Sequence, residues 1–261
     1  MTILDVKKIT KSFGGLTAVA KASLKLEKGE LVGLIGPNGA GKTTLFNLLT
    51  GIYTPDSGTI SLFKDSEEIA LQGLRPNKIC RAGLARTFQN IRLFKDLTVL
   101  ENVLIAMHKN VEYGFLQSFL HLPSYGRQEK ELVDECIELL KIFNLEDKKD
   151  ELAKNLPYGE QRHLEIARAL ATNPSLLLLD EPAAGMNPAE TAELTQIIKG
   201  IREKFDLTIL LIEHDMSLVM NICERIYVLD YGMVIASGTP EEIRSNKRVI
   251  EAYLGEEVND A

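Results

Sequence analysis

One stretch of eight residues, GPNGAGKT (36–43), has the composition of a loop that holds phosphate groups. It fits the spacing GxxxxGK[ST] at every fixed position, follows an apolar segment and precedes a helical pattern. Glycines let backbone N–H groups point inward at phosphates, and the start of the following helix adds a positive dipole. Lys42 can reach the β- and γ-phosphates, and the Thr43 hydroxyl can ligate Mg²⁺. The stretch predicts a nucleoside triphosphate site lined by Gly36, Pro37, Asn38, Gly39, Ala40, Gly41, Lys42, Thr43 and Thr44.

Two consecutive carboxylates follow a run of four leucines, residues 176–179. Such a run is typical of a strand buried in a parallel sheet, and open α/β sheets place their sites at the carboxyl ends of strands. Asp180 is expected in the Mg²⁺ shell, and Glu181 is suited to polarise an attacking water. Alone, this pattern is as typical of a strand that leaves a core. The phosphate loop elsewhere in the chain favours the catalytic interpretation.

Two further polar residues lie where they could assist the attack of water on the γ-phosphate. His214 follows a second apolar run, LTILLIE (207–213), which should form a strand beside that of Asp180. From there it could contact the γ-phosphate or orient the water. Gln89 lies where the α/β pattern gives way to a helical one, and its amide can reach Mg²⁺ or the water. A single histidine or glutamine would carry little weight without the other motifs.

The α/β pattern around these residues must position them. The first 30 residues alternate apolar and polar side chains, which predicts exposed antiparallel strands. ELVGLIG (30–36) predicts the buried strand before the phosphate loop, and TTLFNLLTG (43–51) predicts a helix that ends near Gly51. Further predicted elements are a strand at 59–63, a helix from Pro188 to Phe205 with Asn187 as N-cap, two strands around a Tyr231–Gly232 turn, and a helix capped by Thr239 and Glu242.

The middle of the chain has a different periodicity. From about Ile91 to His163 the pattern is mostly helical, and residues 129–143 are its clearest part. Strand patterns return only with the leucine run at 176–179. The sequence therefore predicts an α/β fold interrupted by a helical insertion.

Composition and charge narrow the class of protein. The chain has 261 residues, of which 45% are hydrophobic, so it can bury a core. Its net charge of −7 argues against broad nucleic-acid binding, and we predict no nucleic-acid partner. The three cysteines and four histidines are scattered, which disfavours disulfides and a metal cluster. No apolar run could cross a bilayer, so we expect a soluble, cytoplasmic protein whose membrane role comes through a partner.

Together these motifs resemble the nucleotide-binding subunit of ABC transporters. The phosphate loop, Gln89, the segment NLPYGEQRHLE (155–165), Asp180-Glu181 and His214 occur in that family's order and spacing. The resemblance implies a P-loop NTPase with a RecA-like core, an antiparallel β subdomain and an inserted α-helical subdomain. It divides a single domain, 1–261, into an α/β core (1–90 and 166–261) and a helical subdomain (91–165).

The resemblance also implies roles for individual residues. Two subunits would form a head-to-tail dimer around two ATP molecules, each bound by one subunit's P-loop and the other's signature segment, here residues 156–160. Phe13 matches the aromatic residue that stacks on adenine. The implied catalytic residues are Glu181, His214 and Lys42. The implied Mg²⁺ ligands are Thr43, Gln89 and Asp180, and the signature residues that contact ATP are Tyr158, Gly159 and Glu160.

Within the family, the chain is most similar to the larger ATPase of branched-chain amino-acid importers. The stretches 84–103, 158–170, 180–188 and 210–220 carry this likeness, and so does the ending from 238–246 through 249–256. It implies permease subunits in the membrane, a second related ATPase or a second copy of the chain, and indirectly a periplasmic-type binding protein. The ATPase would lie on the inner face of the cell membrane. The cargo is chosen by other subunits, so urea or amide import stays open.

Two residues depart from the family pattern. Pro157 stands where the family has a serine that bonds the γ-phosphate, and Asn187 replaces an aspartate. A hydrogen bond to a charged group contributes about 1.5–3 kcal/mol. We therefore expect this signature segment to form the weaker of two sites in a heterodimer.

Three other functions fit part of the pattern. One is a soluble ABC ATPase that acts on nucleic acid, ribosomes or cofactor assembly, although the chain has neither a long coiled-coil insertion nor a second cassette. Another is the ATPase of a lipid or lipopolysaccharide exporter. The third is a regulatory nucleotide-binding module without turnover, against which the intact Lys42, Asp180 and Glu181 argue.

Overall fold

The computed structural model of the chain describes residues 1–65, 67–107 and 123–257. Its central element is a six-stranded sheet in the order β10-β9-β3-β8-β7-β6. The strands are parallel except for β10, which pairs antiparallel with β9. Their bounds are β3 (Leu31–Ile35), β6 (Leu84–Arg86), β7 (Leu176–Asp180), β8 (Thr208–Ile212), β9 (Arg225–Asp230) and β10 (Met233–Gly238).

A second, antiparallel sheet has the order β2-β1-β4-β5. It confirms the strands that the alternating pattern of the first 30 residues predicts. In β2 (Leu16–Glu27) buried side chains alternate with exposed ones, as expected when one face of a sheet lies on a core. The strands are β1 (Thr2–Phe13), β2 (Leu16–Glu27), β4 (Ser57–Lys64) and β5 (Glu67–Ala70).

The central strands are buried on both faces, and their residues alternate between two hydrophobic clusters. In β3, Leu31 and Ile35 pack into one cluster, while Val32 and Leu34 pack into the other. The first cluster includes most of the helical region, and the second includes the antiparallel sheet and the helix after the phosphate loop. The parallel sheet therefore joins all parts of the chain that the structure describes.

The helices account for most of the remaining described residues. The predicted helix at Pro188 begins and ends at the expected residues, and its cap forms as expected. Asn187 Oδ1 accepts from the backbone N–H of Ala189 (2.9 Å) and of Glu190 (3.0 Å). The helices are α1 (Lys42–Leu49), α2 (Pro76–Ala82), α3 (Val99–Met107), α4 (Pro123–Ile142), α5 (Tyr158–Leu170), α6 (Pro188–Phe205), α7 (Met216–Ile222), α8 (Pro240–Ser245) and α9 (Lys247–Glu257).

The predicted helical insertion corresponds to α3, α4 and the start of α5, although residues 108–122 of it lie outside the described residues. Helix α5 continues through residues 165 and 166, where the sequence analysis places a subdomain boundary. That boundary stays a prediction, and it would divide a continuous helix. Among the described residues, no helix is long and apolar enough to cross a membrane.

The three cysteines differ in their surroundings, and this difference can be measured. Cys136 and Cys223 are buried, which raises the pKa of each thiol to about 12, whereas Cys80 is partly exposed. Because the thiolate is the reactive form, Cys136 and Cys223 should react at pH 8 about three orders of magnitude more slowly than an ordinary thiol. Alkylation of the native protein followed by peptide mass spectrometry tests this, with urea-unfolded protein as the control. Equal native rates at all three positions would contradict the packing.

Candidate nucleotide-binding and catalytic site

The phosphate loop connects the buried strand β3 to helix α1, as its sequence context predicts. Two of its glycines, Gly36 and Gly41, are required by close backbone contacts. A Cβ atom at Gly36 would lie 2.0 Å from the carbonyl oxygen of Leu229, and one at Gly41 would lie 2.4 Å from that of Ala18. Gly41 also has a φ of 102°, which favours glycine. Strand β9 and the β2 backbone therefore fix the shape of this loop.

Lys42 is the first residue of α1 and is almost fully buried. Its ammonium group donates to the carbonyl oxygens of Gly36 (2.6 Å) and Pro37 (2.8 Å). These bonds hold the amino group along the inside of the loop. A phosphate bound there would meet a cation as well as the N–H groups at the start of α1.

The loop lines a cavity of about 450 Å³ together with residues from four distant parts of the sequence, the fourth being the Tyr231–Gly232 turn. Phe13 and Thr17 come from the antiparallel sheet, Glu181 follows β7, and His214 follows β8. Phe13 is half-exposed and packs edge-on against Tyr53, with ring centroids 5.1 Å apart. The remaining lining residues are Leu16, Ala18, Asn38, Gly39, Ala40, Gly41, Lys42, Thr43, Thr44, Tyr231 and Gly232.

Glu181 forms hydrogen bonds with two other predicted site residues, His214 and Gln89. Its Oε1 lies 2.8 Å from His214 Nε2, and its Oε2 accepts a 2.8 Å hydrogen bond from Gln89 Nε2. Strands β7 and β8 are neighbours, as the sequence analysis expects, so their carboxyl ends bring Glu181 and His214 together. Glu181 itself has a φ of 48°, a conformation that costs an ordinary residue about 1–3 kcal/mol. The surrounding contacts hold the carboxylate in this position.

Asp180 is buried and forms an ion pair with a residue that the sequence analysis did not identify. Its Oδ2 accepts from Arg86 Nη2 at 2.6 Å. The second terminal nitrogen of Arg86, Nη1, donates to Asn47 Oδ1 at 2.8 Å. The guanidinium carbon of Arg86 lies 5.4 Å from the ring centroid of Phe46 and 5.1 Å from that of Phe88. Arg86 therefore fixes the position of the Asp180 carboxylate and places a positive charge beside it.

The residues present fit a magnesium ion. Asp180 Oδ1 is buried and has no hydrogen-bond partner among the described residues, so one hard oxygen is available for a cation. Thr43 and Gln89 can offer a hydroxyl and an amide oxygen. No group of three or more His, Cys, Asp or Glu side chains that could hold a metal occurs in the described ranges. A site with one carboxylate suits Mg²⁺, which usually takes one or two carboxylates together with substrate phosphates and water.

The predicted signature residues lie elsewhere. Tyr158, Gly159 and Glu160 form the first turn of α5, and none of them lines the cavity of the phosphate loop. Pro157 is the N-cap of this helix and provides no side-chain cap. Tyr158 is half-exposed, and Glu160 forms an ion pair with Lys148 at 2.6 Å. The structure thus separates these residues from the phosphate-loop cavity within one chain.

Residues 19–184 match the family model described as ABC transporter. The chain belongs to this family. A second model, described as branched-chain amino acid ATP-binding cassette transporter, matches residues 233–259 of this ABC ATPase. These matches confirm the predicted family and the P-loop NTPase fold.

Curated relatives match along nearly the whole ABC ATPase. The high-affinity branched-chain amino acid transport ATP-binding protein LivG of Escherichia coli K12 is 50% identical over 97% of the chain and 98% of that protein. BraF of Pseudomonas aeruginosa, also a high-affinity branched-chain amino acid transport ATP-binding protein, is 50% identical over 97% of the chain and 98% of its own length. The lipopolysaccharide export ATP-binding protein LptB of Haemophilus influenzae is 36% identical over 98% of the chain and 99% of its own length.

Solved structures of ABC cassettes share the fold. The ADP conformation of MJ1267, an ATP-binding cassette of an ABC transporter, is 32% identical, with a TM-score of 0.82 and coverage of 98% of this ABC ATPase and 99% of that chain. The dimeric cassette MJ0796 bound to ADP and phosphate is 25% identical, with a TM-score of 0.73 and coverage of 91% and 99%.

Sequence reasoning missed four buried charged residues of this ABC ATPase. The side chains of Arg86, Arg162, Glu165 and Glu213 are each almost fully buried and bond to residues at or beside the site. Glu213 accepts from the backbone N–H of Ala183 at 2.6 Å, and burial raises the pKa of its carboxyl. The only feature of the sequence that points to Glu213 is its place at the end of an apolar run. The other three residues occur in segments where charged side chains are usually solvated.

Proposed function

We propose that the chain hydrolyses ATP to power the import of branched-chain amino acids by an ABC transporter. The observation that carries this proposal is the match of residues 233–259 to the branched-chain amino acid cassette model. The 50% identity to LivG and BraF over nearly the whole length supports it. In this proposal the chain lies on the cytoplasmic face of the cell membrane, bound to permease subunits.

The P-loop and its surroundings would hold Mg·ATP. The backbone N–H groups of residues 38–44 and the Lys42 ammonium would bind the phosphates, and Phe13 would stack on the adenine. Thr43, Asp180 and Gln89 would ligate Mg²⁺, with Arg86 fixing one oxygen of Asp180 and leaving Oδ1 for the ion. When bound, the ion neutralises charge on the transferred phosphoryl group.

Glu181 would act as the general base. Its carboxylate is held at both oxygens, by His214 and by Gln89, so its direction is set before substrate arrives. A carboxylate so placed at the edge of the cavity can take a proton from a water that attacks the γ-phosphate. His214 would then contact the γ-phosphate and orient the water. The position of the Gln89 side chain would depend on whether Mg²⁺ is bound.

The signature segment would complete a site in a second ATPase subunit. It lies away from the chain's own P-loop cavity, as a head-to-tail dimer requires. Because Pro157 has neither a hydroxyl nor an N–H, the partner's nucleotide would be bound by the remaining N–H groups at the start of α5 and by its dipole, typically about 0.3–1 kcal/mol. The hydrolytic site with this chain's own P-loop would be the stronger one in a heterodimer.

The permease would dock in a groove beside the loop of residues 87–92 that follows β6, called the Gln89 loop below. This groove has a volume of about 680 Å³ and is lined by Phe88 and Arg92 of that loop. Three of its apolar residues, Ile52, Phe94 and Ile105, are exposed in the single chain. Burial of such a patch would stabilise a complex. Movement of Gln89 with the docked helices would then connect ATP to transport.

Cys80 lines the same groove and provides a test of docking. We expect assembly with the permease subunits to slow alkylation of Cys80 by about tenfold or more, because an interface excludes water and reagent. Mass spectrometry of the free chain and of the assembled transporter measures this. The buried Cys136 serves as a control whose slow reaction should not change. Unchanged reactivity of Cys80 in a complete complex would place the permease elsewhere.

Reconstitution of the transporter tests the proposed cargo. The chain would be purified with its permease subunits, partner ATPase and binding protein, and ATPase activity measured with leucine, isoleucine or valine. We expect stimulation by these and not by urea, short amides or lipopolysaccharide. Stimulation by urea or an amide would reassign the cargo, and stimulation by lipopolysaccharide would favour export, the function named for LptB, which is 36% identical.

A further inference from the structure

Arg162 lies at the centre of a buried network that joins helix α5 to the Gln89 loop. The side chain is fully buried. Its Nη1 donates to the carbonyl oxygen of Phe88 at 2.6 Å, and its Nη2 donates to the carbonyl oxygen of Gln89 at 2.8 Å. A guanidinium presents its donors in a rigid fork, so two such bonds fix the backbone of the loop as well as its distance from α5.

Glu165 lies one turn later on α5 and completes the connection. Its Oε2 accepts from Arg162 Nη1 at 2.8 Å. Its Oε1 accepts from the backbone N–H of Phe88 (3.4 Å) and of Arg92 (3.1 Å). The pair therefore bonds two carbonyls and two N–H groups of one loop. Apolar replacements would remove all four hydrogen bonds between this pair and the partly buried loop.

Tyr158 extends the network to the first turn of α5. Its hydroxyl lies 3.2 Å from Arg162 Nη2. Its ring lies against Gly185, in the loop that follows Glu181, where an added Cβ would be 3.3 Å from Tyr158 Cε1. One aromatic residue thus contacts both the loop after the general base and the arginine that holds Gln89.

We propose that Arg162, Glu165 and Tyr158 form a latch that makes the signature end of α5 and the Gln89 loop move together. All three are positioning residues. The latch gives the signature segment a direct mechanical connection to the side chain that bonds Glu181, because the backbone of Gln89 is held by Arg162 while its amide is held by Glu181.

This inference rests on the proposed function, because the signature segment would bind a nucleotide only in the dimer. Nucleotide bound at the start of α5 then biases the position of Gln89, and a permease that moves the Gln89 loop biases the signature segment equally, as linkage requires.

The test uses two conservative variants, Tyr158→Phe and Glu165→Gln, with Arg162→Gln as the stronger change. In the assembled transporter we expect the cargo-stimulated kcat to fall about two- to thirtyfold, while the KM for ATP stays unchanged. Tyr158→Phe keeps the ring and the backbone N–H, so it should fold even if Arg162→Gln does not. The double variant Tyr158→Phe/Glu165→Gln should lose little more than the worse single variant, since both act through Arg162.

The control is Lys154→Gln, which breaks an exposed ion pair with Asp96 that also joins two segments of the helical region. Stimulated turnover should stay at the wild-type level in this variant. A wild-type kcat in both single variants, Tyr158→Phe and Glu165→Gln, would overturn the latch. So would strictly multiplicative losses in the double variant.

A second readout works in the single chain, without any partner. Amide hydrogen exchange at Phe88 and Arg92 should be about five- to tenfold faster in Glu165→Gln, because a charged acceptor becomes neutral. The amides inside α5 should not change. If the wild-type transporter showed no stimulated ATPase, the proposed function would fail, while this exchange experiment would still decide the latch. Unchanged exchange at Phe88 and Arg92 would overturn it.

Discussion

Glu181→Gln is expected to abolish ATP turnover and to preserve ATP binding. Glutamine has nearly the same shape and can still accept a hydrogen bond from His214 or Gln89, but it cannot take a proton from water. General-base catalysis typically contributes 10²–10⁴-fold, so kcat should fall by about that factor. The Lys42 ammonium and the loop N–H groups are untouched, so the affinity for ATP should change little. Phosphate release by the assembled transporter and nucleotide binding by fluorescence measure the two quantities.

The matched control is Glu203→Gln, which makes the same chemical change at an exposed position on α6. It should hydrolyse ATP at the wild-type rate. Glu181→Gln with wild-type turnover would remove Glu181 from the mechanism and leave the water without a base. Loss of ATP binding in that variant would instead show that the carboxylate shapes the cavity.

Arg86→Met is expected to give the largest loss of stability among simple substitutions at the site. Arg86 and Asp180 are almost fully buried and 2.6 Å apart. Removing one partner of a buried ion pair leaves an uncompensated charge, which typically costs about 3–5 kcal/mol. The free energy of unfolding, measured in urea, should fall by about that amount, and Mg²⁺-dependent nucleotide binding should weaken because the Asp180 carboxylate loses its fixed position.

A double-mutant cycle separates the ion pair from general damage. Arg86→Met/Asp180→Asn should be less destabilised than the sum of the single variants by about 0.5–3 kcal/mol. Lys141→Met breaks an exposed pair with Glu138 and should leave the free energy of unfolding nearly unchanged. Additive losses in the cycle would mean that Arg86 and Asp180 stabilise the fold independently.

Local patterns in the sequence predicted the elements that hold the site. The phosphate loop was predicted with both flanking elements because its motif, the apolar strand and the helix are continuous in sequence. The cap of α6 was equally local, since Asn187, Pro188 and Glu190 contact one another within one turn. The proximity of His214 to Glu181 followed from two buried strands that each end in a polar residue. In each case neighbouring residues carried the information.

The residues that sequence reasoning missed depend on contacts between distant segments. Arg86 bonds Asp180 and Asn47, and Arg162 bonds the Gln89 loop. These partners are so far apart in sequence that helix or strand periodicity does not predict their contact. In sequence, Arg162 and Glu165 have the spacing of an exposed helical ion pair. Only the packing of α5 against the loop buries them. The short elements β5, β6, α2 and α7 were missed because few residues give too little periodicity.

The order of strands in the central sheet has a consequence for synthesis of the protein. Strand β3, which carries the phosphate loop, pairs with β8 and β9, and these lie far towards the carboxyl end of the chain. At about 5–20 residues per second, a ribosome needs roughly ten to thirty-five seconds to reach β8 after β3 has been made. During that interval an apolar strand has both edges unpaired, the condition in which chains aggregate. The nascent chain is therefore vulnerable at β3, the strand that leads into the phosphate loop.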